Sequence, residues 1–300
     1  MPSKAADEPG ATRADLVPVA PPALVPAPEP PARLPDPRRS DVDEWGRSEH
    51  MRELARKLYD PLYSKWFRVE WDGLEKIPDD GGALLVANHA GAIPSDAPAI
   101  MHGIETELHR PVYGMADQMF KSMPVIGTLW SRAGGVVAHP DNAYRLLREQ
   151  KQLALVFPEG TKGPSKPYTQ RYQLRRFGRG GYVEIAMRSG VPVVPLAVVG
   201  AEESMPIVFK VPALSKALGL PYFPVTANMM ALPWLGPLSV AAYFPAKFKI
   251  KVLDPVTFDV EPDQPRYSRS RIMEASEAIR RQIQEALYDM LRARRSVWVG

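Results

Sequence analysis

Cysteine is absent from the 300 residues, which excludes disulfides, thiolate metal sites and a cysteine nucleophile, and suits a reducing compartment. The five histidines do not stand at i, i+4 or short-loop ligand spacing, so no metal site is expected. No Gly-x-Ser-x-Gly turn occurs, which argues against a serine presented on a strained strand-to-helix elbow. The glycine-rich stretches lack the spacing of dinucleotide or nucleoside-triphosphate loops. No run of about 18 apolar residues is free of helix breakers, so a spanning helix is not expected. Residues 1–40 lack any apolar period and hold 11 of the 33 prolines; they read as a disordered Pro/Ala-rich tail. Pro18, Pro21, Pro22, Pro26 and Pro28 interrupt what would be a signal-peptide core, so nothing marks the tail for secretion. From Ala217 to Ala246, finally, no side chain carries a charge.

What is present suffices for one α/β domain with extensions, since 45% of residues are hydrophobic and 24% charged. The net charge of +4 is mild for a nucleic-acid binder, and no stretch interleaves basic and aromatic residues as a base-stacking platform would. A basic surface facing anionic lipid accounts for the charge equally well.

Along the chain, residues 41–67 read as an N-terminal helical segment that Pro61 splits in two. Residues 68–300 read as one domain. Arg68 to Trp71 alternates like an exposed strand, while Ala83 to Ala87 and Leu153 to Val156 are apolar runs that suit buried strands. Pro111 to Met115 and Gly135 to Ala138 are short strands, and Pro124 to Ser131, Asp141 to Gln152 and Tyr182 to Ser189 are helices. Val191 to Val199 is nearly all apolar, which suits a central strand buried on both faces. Phe248 to Val252 alternates as an edge-like strand, and Arg269 to Arg295 is an amphipathic helix with apolar residues at spacings of three and four.

Two polar segments follow buried strands. The first is Asn88-His89-Ala90-Gly91-Ala92-Ile93-Pro94-Ser95-Asp96, and the second is Phe157-Pro158-Glu159-Gly160-Thr161. Strand ends in open α/β sheets are where ligands sit. A histidine with a nearby aspartate can work as an oriented general base, the imidazole taking a proton while the carboxylate holds the ring. The substrate can then bring the hydroxyl. Ala97 to Ile104 is the expected helix behind the pair, with Asp96 near its N-terminus.

These residues resemble the glycerolipid acyltransferase family, the phosphate acyltransferases of the 1-acylglycerol-3-phosphate type that move a fatty acyl group from a thioester to an alcohol. The similarity rests on Asn88-His89 with Asp96, on Phe157 to Thr161 and on Val191-Pro192-Val193-Val194-Pro195-Leu196, and extends from about residue 68 to 255. It implies an α/β fold with a central, mostly parallel or mixed sheet flanked by helices. It also implies His89 and Asp96 as a catalytic dyad, with Asn88, Glu159, Gly160, Thr161 and Lys162 binding substrate. Two departures matter. Six residues separate His89 from Asp96 where the family pattern has four, a longer form that resembles the family's neutral-lipid branch. The stretch Gly134 to Asn142 lacks the arginine that would bind an acceptor phosphate.

The implied reaction is O-acyl transfer from acyl-CoA or acyl-ACP, as co-substrate and without a cofactor, to a lipid hydroxyl such as a lysophospholipid, a diacylglycerol or another lipid alcohol. A main-chain amide near Gly160-Thr161 is the expected oxyanion donor. The alternative from another class is a catalytically silent lipid- or membrane-binding protein on the same scaffold. The implied partners are the acyl thioester, the lipid acceptor and a membrane surface, with no nucleic acid, and the implied location is cytoplasmic and peripheral to the membrane. Lys162, Lys166, Arg171, Arg175, Arg176 and Arg179 form a basic run that reads either as a solvated loop or as an anion surface. The uncharged stretch reads either as a buried cap or as an acyl-chain groove or interfacial excursion. Glu202 and Glu203 read as a helix start, with an acceptor contact as the second reading.

Overall fold

The computed structural model describes residues 41–119 and 125–300. The expected tail, residues 1–40, lies outside the described residues. The core is a seven-stranded sheet in the order β1-β9-β6-β2-β5-β3-β4. Its strands are β1 Glu70–Asp72, β2 Ala83–Ala87, β3 Val112–Ala116, β4 Gly135–Val137, β5 Leu153–Val156, β6 Val193–Val199 and β9 Lys249–Val252. Every pairing is parallel except β6 with β9. A separate antiparallel pair joins β7 Ile207–Lys210 to β8 Pro224–Thr226, of which β8 lies in the uncharged excursion.

The central strands are apolar on both faces because both faces are covered. Leu84 and Val86 of β2 point into one core with Ala154, Ala197, Val183 and Ile283. Their chain neighbours Ala83, Leu85 and Ala87 point into the other, with Leu155, Val198, Ile100 and Ile104. The two-residue period of a strand thus assigns alternate side chains to opposite layers. One layer holds the helices α5 Gly181–Ser189 and α9 Arg269–Ala293. The other holds α2 Asp96–Glu107 and the N-terminal segment.

Three expectations need correction. The segment 41–67 is not helical from its start: α1 is Glu49–Asp60, capped by Ser48, whose hydroxyl accepts the Met51 N–H at 3.2 Å. Pro61 does not split it either. The chain continues through a wider turn, Pro61–Trp66, in which Phe67 N–H reaches back to Leu62 O, five residues behind. Pro61 stands at the first position of that turn, where its missing N–H breaks nothing. Finally, Lys249–Val252 is interior to the sheet, between β1 and β6, and the edges are β1 and β4. Its alternation comes from having lysines on one face only, with Ile250 and Val252 buried on the other.

The remaining elements are α3 Ile126–Arg132, α4 Pro140–Tyr144 with its wider continuation Arg145–Glu149, α6 Ala201–Ser204, α7 Pro212–Leu218 and α8 Ala227–Ala231. No described helix is long and apolar enough to cross a membrane.

Candidate active site

The middle of the sheet runs β6-β2-β5, three parallel strands whose C-terminal ends open at one edge. Val86 pairs with Val156 and Ala87 with Leu196, so the segments after the strands leave the sheet side by side. That register brings Asn88-His89, Phe157 to Thr161 and Gly200 to Glu203 to the same place despite their distance in sequence.

His89 Nδ1 lies 3.0 Å from Asp96 Oδ2. Asp96 is wholly buried, and its oxygens also accept the N–H of Ala90 at 2.8 Å and of Ala97 at 2.7 Å. An oxygen set that already accepts main-chain donors accepts from the ring as well. The imidazole proton is therefore on Nδ1, and the lone pair of Nε2 is left for a ligand. The ring stacks on Phe157 with centroids 4.0 Å apart and planes at 21°, and 16% of the side chain is reachable by solvent. An oriented imidazole with one open nitrogen can take a proton from a hydroxyl brought to it.

Glu159 does not point into the opening. It is buried, and its carboxylate accepts the His89 N–H at 3.1 Å and the Arg175 N–H at 2.7 Å, with Lys166 Nζ at 3.4 Å. Its role in the fold is to tie the main chain of His89 to the loop after β5. Asn88 is also buried: its side-chain amide donates to Val198 O at 3.0 Å and accepts from Val198 N–H at 2.7 Å. It extends the β2–β6 pairing by one side-chain rung and so fixes where His89 leaves the sheet. Gly160, Thr161 and Lys162 form a short exposed turn on the rim. The Gly160 N–H is spent on Phe157 O at 2.9 Å, so that amide is not a free oxyanion donor.

Beneath the dyad lies a buried polar chain that sequence reasoning did not assemble. Lys166 Nζ stands 3.2 Å from Glu202 Oε1, which also accepts the Tyr172 N–H at 2.9 Å. The Tyr172 hydroxyl binds Glu203 and accepts the Gly200 N–H at 2.9 Å, and Arg294, just past the end of α9, reaches Glu203 Oε1 at 2.8 Å. Burial pushes the Glu202 carboxyl up to about 6 against the opposing pull of Lys166. Burial likewise raises the Tyr172 phenol well above its usual range, so it stays a donor. Lys166 is thus neither solvated nor part of an anion surface, whereas Lys162, Arg171, Arg176 and Arg179 of the same run are exposed. The two glutamates after β6 are buried, each paired with a cation, Glu202 with Lys166 and Glu203 with Arg294. A lysine seven residues past Glu159, with two acids after the next long strand, was the available signal; nothing in sequence said which pairs would meet.

The outer part of the excursion is exposed, contrary to the buried-cap reading. Trp234 is 74%, Leu238 72% and Met230 60% accessible. Its inner part is buried, with Thr226 and Asn228 covered. Among the described residues, no group of three or more His, Cys, Asp or Glu side chains is placed to hold a metal ion.

The acyltransferase family model matches residues 68–199. A Mycobacterium tuberculosis protein, described as uncharacterized, is 38% identical over 266 residues, which cover 86% of this chain and 72% of that protein. A Homo sapiens protein named DGAT1/2-independent enzyme synthesizing storage lipids is 28% identical over 163 residues, or 53% of this chain and 49% of its own. Phytyl ester synthase 2, chloroplastic, of Arabidopsis thaliana is 30% identical over 142 residues, covering 45% of this chain and 20% of that protein. Among solved structures, the 1-acyl-sn-glycerophosphate (LPA) acyltransferase PlsC from Thermotoga maritima shares the fold with a TM-score of 0.50. It is 20% identical, and the match covers 82% of this chain and 80% of that one.

Proposed function

The chain belongs to the acyltransferase family, and from that premise we propose that it transfers a fatty acyl group from an acyl thioester to the hydroxyl of a lipid alcohol, with His89 as general base. The observation that carries this reading is the 3.0 Å contact between His89 Nδ1 and the buried Asp96 carboxylate at the mouth of the sheet. Nε2 removes the acceptor hydroxyl proton as its oxygen attacks the thioester carbonyl, and Asp96 steadies the imidazolium that forms. The tetrahedral intermediate then expels the thiolate of coenzyme A or of an acyl carrier protein, which takes up the proton held by His89. Thr161, in the first turn of the exposed rim helix, offers the main-chain N–H best suited to the oxyanion, since first-turn amides have no partner within the helix.

The acceptor needs no phosphate on this reading. The stretch Gly134 to Asn142 contains no arginine, and two relatives carry names for making storage lipids and phytyl esters. Long-chain alcohols and diacylglycerols are therefore the preferred acceptors over lysophospholipids. The exposed apolar surface at Met230, Trp234 and Leu238 supports peripheral attachment to a lipid surface, where such acceptors reside.

The test gives purified protein one labelled long-chain acyl thioester and a mixture of lipid alcohols with and without phosphate. New acyl esters should form, favouring acceptors without phosphate, and His89→Ala should form none. Free fatty acid in the absence of lipid would make the protein a thioesterase. Vesicle binding without any thioester consumption would make it a lipid-binding protein.

A further inference from the structure

The bend between His89 and Asp96 is longer than the family spacing and has only turns to stiffen it. Both of its ends are members of the dyad, so any slack in it separates the ring from its carboxylate. Within the bend, Asp96 Oδ2 holds the Ala90 N–H at 2.8 Å; its crest is fixed from outside. Ala92 N–H donates to Met205 O at 3.3 Å, and Ile93 N–H meets Met205 Sδ at 3.3 Å. From the other side, the Tyr222 hydroxyl donates to Ala92 O at 2.9 Å and the Tyr243 hydroxyl to Ile93 O at 3.2 Å. The two peptides at the crest of the bend are thus held through both their N–H and their C=O groups, always by the segment 205–243.

We propose that Tyr222 and Tyr243 are positioning residues, clamping the enlarged bend so that Asp96 stays within hydrogen-bond reach of His89; the proposal rests on the reading of His89 as the base. Both phenols are chemically suited to the task. Burial, and after it the neighbouring Asp96 charge, pushes each up to about 12, so each remains a protonated donor across the working range. Tyr243 is itself fixed, because Trp66 Nε1–H donates to its carbonyl at 3.0 Å and its ring meets Phe67 edge-on at 5.7 Å. At positions 222 and 243 the lack of charge also suits the geometry, since both lie near the Asp96 charge. A lysine here would compete with His89 for the Asp96 carboxylate, whereas a neutral hydroxyl holds the bend without touching that oxygen.

The experiment uses the full chain with Tyr222→Phe, Tyr243→Phe and the double change, and Tyr288→Phe on the exposed face of α9 as control. Each removes one hydroxyl and keeps the ring, so kinetics are read well below each variant's melting midpoint. The double variant should lose about tenfold or more in kcat while KM for the acyl thioester stays within about twofold, the pattern of a misplaced reacting group. A second readout is independent of turnover: the downfield imidazole N–H resonance assigned to His89 by its loss in His89→Ala. That resonance should broaden or vanish in the double variant and persist in the control. Wild-type kcat with an intact resonance in the folded double variant would overturn the proposal. A raised KM at unchanged kcat would overturn it too, assigning the phenols to substrate contact. If the wild-type chain transfers no acyl group, the function assigned to the dyad fails, and the resonance still decides whether the clamp exists.

Discussion

At the scale of single residues, the site depends on how closely the chain packs around His89. A Cβ built on Gly163 would lie 2.8 Å from both the Cβ and the carbonyl oxygen of His89, although the backbone there is unstrained. Gly163→Ala should therefore shift the imidazole and lower kcat by about 10²-fold while leaving most of the stability, a split that steady-state kinetics and a thermal melt would resolve. Removing the ring altogether, in His89→Ala, should cost about 10²-fold or more in kcat/KM with an unchanged circular dichroism spectrum. Gly91 is constrained in another way, with φ at +85° and a Cβ that would come within 3.0 Å of Ala201 O, so the bend can lie against α6 only with glycine there. Glu202 sets a pH dependence. Its carboxyl, at about 6 when folded against 4.5 ordinarily, binds its proton more tightly in the native state. Its contribution to stability is complete below pH 4.5 and is lost as pH rises through about 6, a change on the order of 2 kcal/mol. Urea melts across that window should show wild-type stability falling more steeply with pH than that of Glu202→Gln.

At the scale of elements, α2 links the site to the N-terminal segment. Its first residue, Asp96, holds the imidazole, and near its other end the buried Glu105 meets Arg52 Nε at 2.9 Å and Arg47 at 3.4 Å. Glu105 also accepts the Val112 N–H at 3.4 Å, where β3 begins. Glu105→Ala would leave the buried Arg52 guanidinium without its carboxylate, whereas Arg47 keeps Glu49. The expected cost is about 3–5 kcal/mol, because an uncompensated buried charge is far worse than no charge. A drop in the urea midpoint at constant m-value would register it. Most of these elements were legible from pattern alone: β2, β5 and β6 as continuous apolar runs, and α9 from its spacing of three and four. The position of β9 was not. Its alternation looks like an edge strand because the lysines on one face reach solvent and Glu70 or Asp72 of β1, and pairing partners leave no mark on a strand's own sequence.

At the scale of the whole molecule, the uncharged excursion has two faces with different work. One braces the bend of the site, and the other exposes Trp234 and Leu238. Aromatic and aliphatic side chains at this exposure favour a lipid interface, and each buried there contributes roughly 1.5–3 kcal/mol. Trp234→Ser combined with Leu238→Ser should weaken vesicle binding by at least about tenfold, measured by co-sedimentation, with little response to added salt. Turnover of a water-soluble acyl thioester with a short-chain alcohol should be unaffected, since neither residue contacts the bend.

The sequence by itself determined the kind of fold and the family, and it singled out His89 and Asp96, which the fold brings into contact, because buried strands, strand-end polar motifs and amphipathic helices are properties of short stretches of chain. It could not decide what the other polar residues do. Asn88 and Glu159 belong to the motifs, yet both are turned inward to hold main chain, and Lys166, Glu202 and Glu203 join a buried network that spans more than a hundred residues of sequence. Those roles exist only once parallel strands β6, β2 and β5 lie side by side. Local spacing fixes which face of an element a residue occupies, but a partner across the sheet is chosen by strand order and register, which only the folded chain contains.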